Sequence, residues 1–420
     1  MKFYVLLLSL LLCRASFVHA DEGDSYTLPE ILALTLQNSP NLAVSNAKRE
    51  GARFAVDSVK SKYLPTVNVE AIDSTGFGGS SGGLGVTGLM GSPFRSGYSY
   101  GAVLNQTIFD FNRSASAVAE AESSYHAREA DVSVTKYNIK SQAIRAFYEC
   151  SLLRSQAEAW NKSSEESLLV MNEVKRFVQS GQRSLVDRYL VESQTEEALT
   201  KEASYSELYR GMQLKLQLFS GSPVLRPCPV LKTEVRIDSL KANKLDRHPA
   251  IEKAKWDFKT SEAARDRKRA EFLPYVVGMA SIGQMESTRL IGKKDYSLSA
   301  AIIFPIFDGL KTTSEVHRSE AAVVEKEMEV RSVKFWLEET ELRLVELHLT
   351  ALAKLKHLKN ELVASEEGYR LAKDRYGNFR GSLVDVRETL RNLSRVRAEM
   401  NDTLADIAIA SAQHSLLSEQ

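Results

Sequence analysis

The chain has 420 residues with 55 basic and 54 acidic side chains, and 43% of its residues are hydrophobic. This composition excludes a disordered chain and a disulfide-rich miniprotein. The balanced charge argues against nucleic acid as a partner. No proline lies between Pro93 and Pro223 or after Pro305, and ten of the 22 glycines lie between Gly76 and Gly101. Two long stretches without turn residues argue against an ordinary compact enzyme domain.

Residues 1–20 have the pattern of a secretory signal peptide. Lys2 precedes a short apolar run, and Val18-His19-Ala20 is an acceptable cleavage site before two acidic residues. The alternative is a membrane anchor, but the apolar run is too short to span a bilayer comfortably. Two cysteines then remain, Cys150 and Cys228, and the sequence leaves open whether they form a disulfide or stay as free thiols.

The rest of the chain contains an internal duplication. In two pairs of matching segments the members are 209 residues apart, and in two later pairs they are 198 apart. All four pairs therefore align if the first copy is longer than the second in the glycine-rich stretch. The pairs are Pro40 with Pro249, Tyr63-Leu64-Pro65 with Phe272-Leu273-Pro274, Ile108-Phe109-Asp110 with Ile306-Phe307-Asp308, and Ser184-Leu185-Val186-Asp187 with Ser382-Leu383-Val384-Asp385. We therefore predict a first repeat over 21–222, a linker over 223–237 and a second repeat over 238–420.

Each repeat is predicted to contain the same elements in the same order. A helix that ends before a Leu-Pro pair is followed by two strands and then by a long helical hairpin. The predicted ranges are helix 27–62, strands 66–74 and 98–109 and hairpin 112–219 in the first repeat, and helix 238–271, strands 275–284 and 296–307 and hairpin 310–418 in the second.

The strands alternate between apolar and small or polar residues, most clearly in the last strand at Tyr296, Leu298 and Ile302. This pattern fits a half-buried strand of a soluble sheet or a strand of a membrane barrel shared between chains. Segment 66–74 fits a barrel less well, because Asn68, Glu70 and Asp73 must then face the lumen or lie outside the apolar zone.

The long helices have near-heptad apolar spacing, which is typical of coiled-coil packing. A helix of about 65 residues is about 100 Å long at 1.5 Å per residue. One such hairpin cannot cover its own apolar seam on both sides, and a four-stranded sheet has two open edges. Both features favour assembly of several copies in a ring.

The duplicated order of elements resembles the TolC family of outer-membrane export channels, over roughly residues 27–415. The residues that carry the resemblance are Asn38-Ser39-Pro40, Tyr63-Leu64-Pro65, Ile108-Phe109-Asp110 and the Leu-Val-Asp sequences after the hairpin turns. The resemblance implies a mainly α-helical fold with a membrane β-barrel portion. In a homotrimer, each chain would give four strands to a twelve-stranded barrel in outer-membrane lipid, and the helices would form a tunnel through the periplasm.

The resemblance also implies partners and a passive role. An exit duct of a tripartite system would be opened at its periplasmic end by an adaptor protein and an inner-membrane pump of the ABC or RND type. Its cargo would be drugs or, in type I secretion, a protein, and the sequence does not distinguish them. The alternative function is a soluble periplasmic coiled-coil scaffold or adaptor, which would not need apolar strand faces.

By the same resemblance, the periplasmic entrance is expected near the hairpin turns. Asp385 and Glu388 would form an acidic gate on one helical face. Asp187 and Arg183 would supply ion pairs between helices, and Tyr376 would act as a lock residue. The alternative for these charges is an ordinary solvated helix surface.

The expected adaptor contacts are the turns themselves. They contain Gly181 and Gln182 in the first hairpin and Phe379, Arg380 and Gly381 in the second. The apolar residues that flank such turns in the family are absent here, so neither the adaptor nor the pump class follows from the sequence. Seven scattered histidines show no metal-ligand spacing, and no nucleophile motif is present. We therefore expect neither enzymatic activity nor a cofactor or bound metal.

Overall fold

A computed structural model describes most of the chain. The described residues are 25–74, 97–222, 225–231, 245–287 and 290–418. The predicted signal over 1–20, much of the glycine-rich stretch and much of the linker lie outside these ranges. Among the described helices, none has an apolar stretch long enough to cross a membrane.

Both repeats fold into helices, a strand pair and a long helical hairpin. The first repeat comprises α1 (Leu28–Asn38), α2 (Pro40–Lys60), β1 (Thr66–Ser74), β2 (Gly97–Phe109), α3 (Arg113–Gln179) and α4 (Leu185–Ser220). The second repeat comprises α5 (Pro249–Ala270), β3 (Tyr275–Ser287), β4 (Leu290–Ile303), α6 (Lys311–Gly377) and α7 (Leu383–Ser418).

Proline positions account for several of these boundaries. The helix predicted over 27–62 divides at Ser39, because Pro40 begins a new helix where its missing N–H has no consequence. The strand predicted over 296–307 lies instead at Leu290–Ile303. Pro305 has no N–H to donate to a neighbouring strand, which explains the earlier end.

The four strands form one antiparallel sheet in the order β1-β2-β3-β4. Paired residues lie on the same face, so Val67, Leu104, Ala280 and Leu298 form one row across the sheet. This apolar face is open, and Leu298 is 88% exposed. Among the described residues, the sheet therefore presents an apolar surface with nothing packed on it.

The opposite face of the sheet is more polar. Asn68, Val103, Ser281 and Ser297 form its neighbouring row, and the hydroxyls of the two serines lie 2.7 Å apart. Glu70 lies on this face as well, because it is two residues from Asn68 along the strand. The side chain of Asp73 is outside the described part of the structure.

The chain divides into two compact units. One contains the sheet and comprises Pro40–Tyr137 and Asn243–Thr340, and we call it the sheet unit. The other, the hairpin unit, comprises the described residues before Pro40 together with those within Asn138–Ala242 and Glu341–Glu419. Cys150 and Cys228 form a disulfide within the hairpin unit, which answers the question that the sequence left open.

A buried histidine begins α5 in the sheet unit. The Nδ1 atom of His248 accepts a hydrogen bond from the N–H of Ala250 at 3.2 Å, and the ring packs edge-to-face on Tyr137. The residue is 4% exposed, and burial lowers its pKa to about 4. Protonation would remove the acceptor and place a positive charge at a helix N-terminus, where it is unfavourable.

Acidification is therefore expected to weaken the sheet unit through His248. Below pH 6.5 the unfolded chain takes up a proton that the folded chain rejects, so the free energy of unfolding falls as the pH approaches 4. Allowing for the polar surroundings of a helix end, we expect a loss of about 2 kcal/mol. In His248→Asn the cap remains without a titrating group, and this part of the pH dependence disappears. Thermal unfolding followed by circular dichroism at several pH values measures it; equal pH dependence in both proteins would contradict the assignment.

Candidate functional site at the hairpin turns

The turns of both hairpins have the same backbone structure. Gly181 and Phe379, which are 198 residues apart, both adopt a left-handed conformation, with φ of 73° and 61°. The following residue closes each turn, since the N–H of Gln182 donates to the Phe177 oxygen and that of Arg380 to the Arg375 oxygen. The duplication therefore extends to the geometry of the expected adaptor sites.

A serine caps each returning helix. The hydroxyl of Ser184 accepts from the N–H of Val186 at 3.1 Å, and that of Ser382 accepts from Val384 at 3.0 Å. In the second hairpin, a carboxylate oxygen of Asp385 also accepts from the N–H of Ser382 at 3.4 Å. This reciprocal arrangement is a capping box, so Asp385 has a local structural role.

Arg183 connects the two hairpins. Its guanidinium donates to the backbone oxygens of Tyr376 at 3.4 Å and Gly381 at 3.1 Å. The same group lies over the Tyr376 ring, 4.5 Å from its centroid, and 5.6 Å from the centroid of Phe379. Donation to carbonyls at the end of a helix is favoured, because the C-terminal end carries partial negative charge.

Aromatic side chains complete this contact. The rings of Phe177 and Phe379 lie 4.9 Å apart between centroids, and Phe177 also approaches Tyr376 at 6.0 Å. Phe379 combines this contact with a left-handed backbone that is costly for a residue other than glycine. Gly381 is closely packed, because a Cβ there would lie 3.0 Å from the Tyr376 nitrogen.

An apolar cluster lies behind the contact and includes residues of both hairpins. Tyr376 is 1% exposed within it. The other buried members are Val170, Val174, Val191, Tyr369, Leu383, Val386, Leu390 and Leu393. The hairpin ends are therefore held together by burial of apolar surface, and Arg183 covers the end of that core.

Burial and the nearby carboxylate of Asp187 raise the pKa of Tyr376 to about 12. The phenol therefore remains neutral at every physiological pH. Among the described residues, its hydroxyl has no hydrogen-bond partner.

Arg183 makes no ion pair with Asp187 in the described structure, although the sequence predicted ion pairs from these two residues. The reason is that the guanidinium lies against backbone carbonyls and rings of the second hairpin.

The predicted acidic gate residues lie on the surface of the single chain. Asp385 and Glu388 are both exposed in the first turns of α7.

Sequence reasoning missed Phe177, whose ring contacts both Tyr376 and Phe379. The described residues contain no group of three or more side chains that could hold a metal ion.

Comparison with known families gives one match along nearly the whole chain. The family model described as outer membrane efflux protein matches residues 31–222 and 241–416. The two matched ranges lie on either side of the linker. Each contains one helical hairpin and one of the two turns that form the site.

A curated relative and several solved structures agree with this match. Outer membrane efflux protein BepC of Brucella suis is 24% identical over 418 residues, which cover 94% of this chain and 83% of that protein. The Campylobacter jejuni CmeC outer membrane channel is 15% identical with a TM-score of 0.80, covering 93% of this chain and 85% of that one. The outer membrane protein VceC of Vibrio cholerae is 16% identical with a TM-score of 0.78, covering 93% and 96%. This chain shares its fold with both solved structures.

Proposed function

Because this chain belongs to the outer membrane efflux protein family and lies in the outer membrane, we propose that three copies form one exit duct for efflux. Its strands would contribute to a shared twelve-stranded barrel, and its hairpins to a tunnel in the periplasm. The soluble scaffold considered from the sequence is incompatible with the outer-membrane location.

The sheet supports the shared barrel. Its outer strands β1 and β4 each have one edge with no partner among the described strands, and unpaired backbone groups are not tolerated in lipid. Pairing β4 of one copy with β1 of the next removes both edges. It also gives the open apolar face a function, because Val69 and Leu298 would contact lipid while Asn68 and Glu70 face the lumen.

The helices support a ring of copies. Large apolar side chains remain exposed along α6, which is unusual for a surface in water. They include Phe335, Leu342, Leu349 and Val363. Their near-heptad spacing is typical of helices that pack on other helices, and a neighbouring copy would supply such helices and cover these side chains.

The single observation that supports a closed periplasmic end is the Arg183 contact. It ties the turn of the first hairpin to the turn of the second through two carbonyls and one ring. We place the gate here, with Arg183 and Tyr376 as the lock and Asp187 beside them. Asp385 and Glu388 would supply six carboxylates near one axis in a trimer, and their repulsion opposes closure unless cations or basic partner groups neutralise it.

The exposed turns are the proposed contact for a periplasmic adaptor. Gly181, Gln182, Arg380 and Gly381 lie at the turns, and Phe379 is half exposed beside them. Apolar side chains are exposed directly after each turn, at Leu185, Val186, Tyr189 and Val384. An adaptor that covers these residues would also reach Arg183. Binding there would couple docking to opening, and an inner-membrane pump would supply the energy.

Fractionation and gel migration test the trimer. Outer membranes should contain the protein as an oligomer. In a detergent gel, it should migrate with the apparent mass of three chains when unboiled and of one chain after boiling. A variant with Leu298→Lys on the apolar sheet face should lose the oligomer, whereas Ser297→Lys on the opposite face should keep it. A monomer released with the soluble periplasmic fraction would refute the proposed duct.

A further inference from the structure

The contact between the two hairpins has an apolar part and a polar part. Nearest the turns it consists of the apolar cluster, which includes Val170 and Val174 of α3 and Leu390 and Leu393 of α7. Farther from the turns, several facing residues of α3 and α7 are hydrogen-bonded polar side chains, and we call this part the polar seam. Its members are Ser155, Gln156, Ser163 and Glu166 of α3 and Ser394, Arg397, Asn401 and Asp402 of α7.

Hydrogen bonds of the polar seam join one hairpin to the other. The side-chain amide of Gln156 donates to the Ala398 oxygen and to the Asp402 carboxylate, both at 2.9 Å. The side-chain amide of Asn401 donates in the opposite direction, to the Ser155 oxygen at 3.0 Å. Because a hydrogen bond weakens steeply with distance and angle, all of these bonds depend on the position of α7 along α3.

An ion pair also crosses the polar seam. The Arg397 guanidinium donates to the Glu166 carboxylate at 2.9 Å, and the two side chains are only 12% and 19% exposed. The same guanidinium lies 3.5 Å from the Glu366 carboxylate of its own hairpin, which is half exposed. Charges with so little access to water lose hydration, and their mutual attraction offsets that loss without a large surplus. Apolar side chains of similar volume would stabilise this contact about equally well.

Gln156 is also a poor choice for stability alone. It is 2% exposed, and its side-chain oxygen has no hydrogen-bond partner among the described residues. A buried acceptor without a partner costs free energy. Polar side chains within an otherwise apolar coiled-coil seam are best attested as devices that fix the register of the helices. Apolar contacts cannot do this as sharply, because the hydrophobic effect has no preferred direction.

We propose that the polar seam positions the second hairpin for the lock, with Arg397 and Glu166 as the main positioning residues. The guanidinium of Arg183 reaches the Tyr376 and Gly381 oxygens at 3.4 and 3.1 Å. A displacement of the second hairpin by about 1 Å would take both bonds beyond hydrogen-bonding distance. The apolar cluster between the polar seam and the turns tolerates such a displacement, whereas the polar seam opposes it. This inference rests on the proposed function, of which the lock is a part.

Replacing the ion pair with apolar side chains separates positioning from stability. In Glu166→Met with Arg397→Met, the oligomer should form in wild-type amount and resist heating as well as wild type does. Hydrogen exchange of the purified oligomer, read from peptides that cover 177–183 and 376–382, should nevertheless be faster by about tenfold or more. Exchange in α7 beyond the apolar cluster should stay at the wild-type rate, because only the alignment of the turns is lost.

The matched control removes a pair that lies within one hairpin. Glu361→Met with Arg395→Met deletes an ion pair between α6 and α7, so the alignment of the two hairpins is kept. Its turn peptides should exchange at the wild-type rate. Wild-type exchange at the turns of the Glu166 and Arg397 variant would overturn the proposal. Loss of its oligomer, or faster exchange along the whole of α7, would assign the ion pair to stability and would overturn it as well.

Failure of the proposed function is separately visible. Entry of a large hydrophilic antibiotic into cells reports the lock itself, and Arg183→Ala should admit it. If cells with Arg183→Ala stay resistant although the oligomer is present, the contact at the turns does not close the duct. Turn exchange in the Glu166 and Arg397 variant still decides, in that case, whether the polar seam positions the turns.

Discussion

Replacing Arg183 with alanine is expected to leave the periplasmic end of the duct open. The substitution removes two hydrogen bonds to carbonyl oxygens and the stacking on Tyr376. We assign this half-buried contact about 2 kcal/mol per chain, or about 6 kcal/mol for three copies that open together. A change of about 5.5 kcal/mol converts a 1:99 equilibrium into 99:1. The closed state should therefore lose its advantage.

Entry of a large hydrophilic antibiotic that an intact outer membrane excludes measures this effect. Cells with Arg183→Ala should become sensitive, whereas cells with Arg188→Ala should not. Arg188 is the matched control, because it lies in the first turns of α4, five residues after Arg183, but pairs with Glu192 at 2.9 Å in its own hairpin. The apolar cluster behind Arg183 is untouched, so equal amounts of oligomer are expected. Wild-type resistance at equal oligomer levels would refute the lock.

Neutralising Asp385 and Glu388 is expected to reduce cation selectivity. In the proposed trimer, six carboxylates near one axis lower the energy of a passing cation and raise that of an anion. The substitution should be Asp385→Asn with Glu388→Gln. An asparagine can still accept from the Ser382 N–H, so the cap of α7 is kept while the charge is lost. Alanine at position 385 would remove both the charge and the capping hydrogen bond, so their effects could not be separated.

Reversal potentials in planar bilayers with a salt gradient measure the selectivity. The cation-to-anion permeability ratio should fall by about threefold or more in the neutral variant. Glu361→Gln with Glu366→Gln removes the same number of charges from α6, farther from the turn, and should change the ratio less. An unchanged ratio in the Asp385 and Glu388 variant would place these side chains away from the conduction path.

The repeat was predictable because it left matching residues at constant spacing. The pair of Ser-Leu-Val-Asp sequences located both hairpin turns, and the structure shows why that sequence recurs. Ser184 and Ser382 cap the returning helices, and Asp385 adds a second capping bond. A cap depends on residues close in sequence, so the same local chemistry recurs in both copies.

Contacts between distant parts of the chain were less predictable. The disulfide needs the return of α4 to bring the segment 225–231 beside α3, and no local pattern encodes that proximity. Arg183 bonds to backbone carbonyls, which have no sequence signature, so this contact could not be predicted from residue types. Phe177 was missed because its role depends on Phe379, on the other hairpin. Tertiary position, rather than side-chain type, decides each case.

Ion conduction by single oligomers in planar bilayers tests the central claim most directly. Purified wild-type protein should give small, infrequent conductance steps after insertion, because in the proposed mechanism the Arg183 contact closes its periplasmic end. Arg183→Ala should insert equally often with larger and long-lived steps. If neither protein conducts, although the oligomer is present in the bilayer, the chain does not form a duct. If both conduct alike, a duct exists but the contact between the hairpin turns does not close it.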